Sequence, residues 1–432
     1  MTLLSSLLSG LLLSLTSLPQ LISYATSLSS PSPLSSLPQA SLPLVAWTVL
    51  SSDAALLCGL TAVTSAMSSA DLGMDKFLGN EHQYNTLISS YTLLTSLTAF
   101  LLYLTPFPTL CSKMDTRILK GFKTGCSFHI FLGCLPDGMF LKGKKSMLSV
   151  VEFDSFFTGL NKTIKFFTNV KNINLIHIET FAIFILTFLI VRNFQTLTLG
   201  YKTGPGVNVV TPMILFTAYA YYFNFDGAIV GKFELPEGSP ITINPNVFFT
   251  FHTTLLPIFN YSYLQMFITS LLFSAVNYMS VLSILPALKP TKTPSQNLLA
   301  QSFSSIVSAL VGGPPIGASL SRTLTAKMFE VDSVVTNITI AIIYVVGLPF
   351  LLPLVEFTPR ACLAGILASA VFNAVFKAKG LEFVGWVTAG GVGVCSPNVG
   401  LMMGVVVWGV EFLGDYGRNP NPYRKNQKKK EE

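Results

Sequence analysis

The stretch 311–329 reads VGGPPIGASLSRTLTAKMF and places Arg322 inside a long apolar chain, behind Gly312, Gly313, Pro314 and Pro315. Those four residues cannot continue a helix, so the chain arrives extended and restarts a helix near Ser319. The first amides of a restarted helix have no intrahelical partner and carry roughly half a positive charge. They form a ready anion site. Ser319, Ser321 and Thr323 add hydroxyl donors, and Arg322 adds a permanent charge with a forked donor pattern suited to oxyanions. An arginine inside a bilayer costs at least ~3 kcal/mol unless something compensates it. A salt bridge to an acidic residue, or snorkelling to the interface, is the competing reading. The anion reading is favoured because a guanidinium beside a helix N-terminus is otherwise electrostatically unfavourable.

The surroundings justify speaking of a bilayer. Of 432 residues, 50% are hydrophobic and 11% are charged, where a soluble domain carries about 25% charged residues. Mean hydropathy is +0.59. Apolar runs recur at 3–25, 33–48, 52–68, 85–105, 117–135, 173–193 and 206–222, then at 262–288, 297–311, 320–330, 334–354, 360–377, 381–395 and 398–414. That makes about fourteen spans in two groups of about seven. Residues 138–172, rich in lysine, and the stretch through GAIVGKFELPEGSPITINPN read as loops. The first run lacks a basic leader and is long for a signal peptide, so it reads as a membrane helix.

An even count puts both termini on one side. The tail YRKNQKKKEE, within 416–432, supplies part of the net charge of +7 and marks that side as cytoplasmic. Arg192, Lys202, Lys289, Lys292, Lys377 and Lys379 fall on the same side. The 138–172 loop then lies outside with its sequon Asn161-Lys162-Thr163, whereas Asn337-Ile338-Thr339 sits in an apolar span. Six dispersed cysteines and four dispersed histidines show no metal-ligand spacing, so no metal or cofactor is expected. The basic tail carries no nucleic-acid reading. Hydropathy excludes a soluble enzyme, and no nucleophile stands with a base and an orienting partner.

Two runs are too short or broken to cross: one starts at LSSDAALLCGL, the other at GASLSRTL. Each is third in its group of seven, and paired interruptions of this kind point to a secondary-transporter binding site. In the first, Asp53, with Ser52 its near equivalent, reads as a helix N-cap. It either caps and balances Arg322 or couples to protons. Gln20 and Tyr24 lie four residues apart on one face of the first span, and Pro19 kinks that helix. They either face a cavity or act as interhelical packing glue.

These residues resemble the sulfate permease (SulP) family of anion transporters. SQNLLAQSFSSIVSALVGGPPIGASLSRTLTAKM is similar to the family's NQELIA-type helix, small-residue turn and G-S-x-S-R-T helix start. FTPRACLAGILASAVFNAV, LPQLISYA, SSDAALL and LKGFKTGCSFHIFLGCLPD resemble further family segments, in family order. The resemblance implies an all-α polytopic membrane protein of the uracil-permease-like fold, a 7+7 inverted repeat split into core and gate domains. The transporter domain would span 1–415, with repeats at about 1–222 and 262–415. Short third and tenth helices would point their N-termini at an anion held by Gln20, Tyr24, Ser52, Asp53, Ala54, Ser321 and Arg322, beside the Ser319 of the bottom-up reading.

Where the family often has a cation-coupling glutamate in the eighth helix, this sequence offers Asn277. The cytoplasmic STAS domain typical of the family is expected to be missing. The expected activity is secondary transport of a small inorganic or carboxylate anion by alternating access, sulfate first, bicarbonate or chloride next. The rival readings are the same fold carrying molybdate or a nucleobase, and a non-transporting membrane paralogue. The expected partners are the anion, the lipid bilayer and, as an open option, a second copy of the chain in a homodimer.

Overall fold

A computed structural model of the chain describes residues 36–53, 55–72, 81–112, 115–143, 157–172, 175–197, 207–231, 244–285, 293–319, 334–347, 356–376 and 380–418, with scattered positions between 6 and 28 and positions 147, 288, 322, 323 and 326. In chain order the elements are α1 (Ser36–Leu50), β1 (Cys58–Gly59), α2 (Ala62–Leu72), α3 (Glu81–Leu104), α4 (Phe107–Ser112), α5 (Thr116–Met139), α6 (Thr158–Val170), α7 (Ile178–Leu197) and α8 (Val207–Phe223). They continue as α9 (Val247–Leu255), α10 (Tyr263–Ile284), α11 (Ser295–Leu310), β2 (Gly317–Ala318), α12 (Val334–Ile342) with a π turn at Ile343–Gly347, α13 (Arg360–Phe376), α14 (Phe383–Val394) and α15 (Pro397–Arg418).

The helix boundaries follow from local chemistry. The Asp115 carboxylate accepts the Arg117 amide at 2.8 Å and opens α5. Ser262 does the same for the Gln265 amide at the start of α10. α11 ends because Gly312 takes φ +79, after which the Gly313 amide returns to the Ser308 carbonyl at 2.7 Å. Gln83–Leu104 and Tyr263–Leu282 are long and apolar enough to cross a bilayer by length and composition. Val207–Phe223, Arg360–Phe376 and Phe383–Val394 are apolar but shorter. Their helices are cut by loops or diluted by the glycine and hydroxyl residues that face other helices.

Two expectations are corrected. The stretch 138–172 is not a plain loop: it contains α6, an amphipathic helix that packs on α5 and α14. The stretch between α8 and α10 contains α9, which packs on α3. The all-α expectation stands, with the two-residue strands β1 and β2 pairing antiparallel between the helices. Among the described residues all six cysteines are buried and none forms a disulfide. Asn337 is fully buried and donates to the Thr48 hydroxyl at 3.0 Å, which removes that sequon from solvent.

The helices pack in two groups. α1, α3, α9, α10 and α11 associate around α3 and α11, while α5, α7, α13, α14 and α15 associate around α5 and α14. In the first group hydroxyl side chains stitch helix to helix. Thr98 Oγ1 and Ser274 Oγ lie 2.8 Å apart, Ser274 donates to the Thr95 carbonyl at 2.6 Å, and Ser96 and Ser302 exchange bonds to each other's carbonyls at 2.8 and 3.0 Å. In the second group glycine lets backbones touch. A Cβ built at Gly121 of α5 would lie 2.2 Å from the Gly385 carbonyl oxygen of α14, and one at Gly400 of α15 would lie 2.1 Å from the Val392 nitrogen. Both devices belong to helices that associate without a hydrophobic driving force between them.

Candidate functional site

The site forms where two broken segments meet. α1 stops at Leu50, the Ser51 amide bonds back to Trp47 at 2.7 Å, and the fully buried Trp47 indole donates to the Leu56 carbonyl at 2.8 Å. Asn297 of α11 clamps the bend that follows: its carbonyl accepts the Ser52 amide at 2.9 Å, and its amide nitrogen donates to the Ser52 hydroxyl at 2.8 Å. Asp53 closes a local turn by accepting the Ala55 amide at 2.8 Å. The chain then runs extended through β1, pairing Cys58 with Ala318 and Gly59 with Gly317.

Asp53 is therefore not the N-cap that its spacing suggests. α2 starts at Ala62, and Thr61 caps it, with its hydroxyl accepting the Thr64 amide at 3.2 Å while the Thr64 hydroxyl accepts the Thr61 amide at 3.0 Å. The physical reason is the cost of unpaired backbone in an apolar interior. An extended segment there is tolerable only with a partner, and Gly317–Ala318 is that partner.

On the other side Ser319 opens a helical turn. Its amide donates to the Leu57 carbonyl at 3.0 Å, its carbonyl accepts the Thr323 amide at 2.9 Å, and the Thr323 hydroxyl accepts the Leu57 amide at 3.2 Å. Arg322 in this turn is only 4% exposed, which excludes snorkelling. Its Nη2 donates to the Leu60 carbonyl at 2.8 Å, and its Nε makes no hydrogen bond to any described residue. Gly59 has φ +143, and a Cβ there would lie 2.7 Å from Arg322 Nη1, so only glycine leaves room for the guanidinium. Among the described residues the ion pairs all converge on Arg117, from Asp115, Glu382 and Glu411 at 2.6, 3.0 and 3.2 Å. Arg322 thus has no carboxylate partner among them.

Asn277 has a structural task. It is 2% exposed, its amide donates to the Ile316 carbonyl at 2.8 Å, and a Cβ at Gly317 would lie 2.2 Å from its Oδ1. It braces the backbone that leads into β2. Gln20, Ala54 and Ser321 lie outside the described residues. Tyr24, 6% exposed, and Ser319 line one cavity of about 170 Å³ together with Thr61 and Ala318, and helices α5 and α13 form the facing wall. A larger groove of about 440 Å³ runs between α10 and α15, but its lining is wholly apolar, from Leu272 to Val407. It offers nothing to orient an ion.

Sequence reasoning missed Asn297, Gly59 and Thr61. Asn297 stood inside a quoted motif and, being an amide in an apolar span, was the signal available. Gly59 carried no such mark.

The profile of the sulfate permease family matches residues 3–391. The chain belongs to the sulfate permease family. Sulfate transporter 1.1 of Arabidopsis thaliana is 29% identical over 122 residues, which cover 26% of this chain and 19% of that protein. The structure of murine Solute Carrier 26 family member A9, an anion transporter in the inward-facing state, superposes with TM-score 0.75 at 18% identity, covering 95% of this chain and 68% of that one. A second SLC26A9 structure gives 0.74 at 16% identity, covering 94% of this chain and 64% of that one. The transmembrane domain of the cyanobacterium bicarbonate transporter BicA gives 0.69 at 14%, covering 93% of this chain and 97% of that domain. This chain thus spans about two thirds of the SLC26A9 chains it resembles. At these identities the likeness is one of fold, and with the sulfate permease match it makes the chain a polytopic helical membrane protein.

Proposed function

We propose that this sulfate permease family member is a secondary transporter that moves a small anion across its membrane by alternating access. The observation that carries the reading is Arg322: a guanidinium buried at the meeting of two broken segments, with Nε unpaired and no carboxylate within ion-pair distance among the described residues. A buried cation without a counter-charge is stabilised when a mobile anion supplies one. The antiparallel β1–β2 pair and the Ser319 turn add oriented backbone at the same place. The ligand set is read as Gln20, Tyr24, Ser52, Asp53, Ala54, Ser319, Ser321 and Arg322. Within it Ser52 and Asp53 shape the backbone, Tyr24 walls the cavity and Arg322 supplies the field.

The two packing groups are read as core and gate, and their relation as an inverted repeat. Sulfate is the first candidate, bicarbonate or chloride the next; the 29% identity to a plant sulfate transporter and the BicA likeness support that shortlist. Asn277, engaged with the Ile316 carbonyl, favours transport without a proton or sodium ion bound at that position. The test is flux of radiolabelled sulfate, bicarbonate and chloride into proteoliposomes, with gradients in both directions. Wild type is expected to move at least one of them, and Arg322→Gln none. A wild type inert toward all three removes the transporter reading, and full activity in Arg322→Gln removes the site.

A further inference from the structure

The cavity between the two helix groups contains a cation, and it is not Arg322. The guanidinium lies behind Gly59 and Leu60 and is absent from the cavity wall. Among the described residues, the one charged side chain that lines the cavity is Lys123 of α5, on the wall facing Tyr24 and Ser319. Its neighbours on that wall, Leu119, Cys126, Ser127 and Ile130, follow at three- to four-residue spacing and mark a single helix face. Lys123 is exposed, lines this cavity and forms no hydrogen bond or ion pair with any described residue. The carboxylates at the start of α5 are already gathered on Arg117, two turns away. Nothing among the described residues satisfies the ammonium, although it stands on a helix whose other faces are packed.

We infer that Lys123 is a second anion-contacting residue, the one that touches the transported ion directly across the cavity, while Arg322 acts on it through the field from behind the β1–β2 pair. The inference rests on the anion-transport reading above and deepens it. The two charges sit on opposite helix groups, so sliding one group past the other changes their separation and therefore the affinity of an ion held between them. Ammonium and anion alone form a monovalent contact with no forked geometry, which selects for charge and size rather than for oxyanion shape. A dianion with both cations, or a monoanion with either, satisfies the arrangement.

The experiment measures anion dissociation constants for the full-length purified protein by titration with sulfate, bicarbonate and chloride. Lys123→Gln is expected to weaken binding on the order of tenfold, and Lys123→Arg to restore most of it. Equal affinity in wild type and Lys123→Gln overturns the inference while leaving Arg322 and the transport reading intact. A wild type that binds none of the three anions brings down the transport reading and this inference with it.

Discussion

The helix group that carries Arg322's surroundings and the group that faces it across the cavity are held together by opposite means. Around α3 the contacts are hydroxyl stitches, many and separate: Thr98 to Ser274, Ser96 to Ser302, Thr92 to the Gly313 carbonyl at 2.9 Å. Around α5 and α14 the contacts are glycine approaches, few and tight, with Gly121 on Gly385 and Gly125 against Val392. Directional bonds fix register as well as distance, so the stitched group holds a ligand geometry. Backbone contact fixes distance but has few directional bonds along the seam. It suits a body that must keep its shape while another moves past it.

That contrast can be broken by substitution, and the largest effect is expected on the glycine side. Gly121→Val forces side-chain atoms into the Gly385 backbone and should cost about 3 kcal/mol, read as a lower unfolding midpoint and loss of a monodisperse peak in detergent. Gly59→Ala comes next, at about 2 kcal/mol, because its φ of +143 disfavours any side chain. It also displaces Arg322 Nη1, so anion flux should fall further than stability does. Asn297→Ala orphans the buried Ser52 amide and should cost about 1.5 kcal/mol with a weakened anion affinity, measured by thermal unfolding and titration. A single stitch is worth little: a Thr98→Val and Ser274→Ala double-mutant cycle should return a coupling of about 0.6 kcal/mol. Smallest of all, Gly133→Ala should leave the melting curve within about 0.5 kcal/mol of wild type. It sits on the same α5 as Gly121 with nothing within 4 Å of its Cβ position. Equal losses at Gly121 and Gly133 would mean that the approach to Gly385 does not set the cost, and the contrast would dissolve.

Much of this was legible in the chain. The Gly312 to Pro315 run announces the end of α11, and the extended stretch after it follows from chemistry local to those residues. Arg322 is conspicuous because charge is rare in its neighbourhood. The family resemblance covered almost the whole chain, and the match over residues 3–391 agrees with it. What local reading could not reach was the partner of the extended segment. Asp53 and Thr61 are both acceptable N-caps by type, and the choice between them is made by residues 317–318, far away in sequence. Gly59 is silent for the same reason: its requirement is imposed by a guanidinium 263 positions on, whose bonding neighbour Leu60 is 262 residues from Arg322. The helices at 158–170 and 247–255 were passed over because neither is apolar enough or long enough to read as a span.

The β1–β2 pair bears on biosynthesis. Its two strands leave the ribosome far apart in time, and neither Leu57 nor Leu60 can meet its partner until Ser319, Arg322 and Thr323 have been made. A nascent chain shorter than that holds unpaired backbone in an apolar interior, a species costly enough to be held by the insertion machinery or removed. Completion of this short ladder is therefore expected late in assembly. A substitution at Gly317 would be felt first as fewer molecules reaching the membrane, before any change in what each molecule carries.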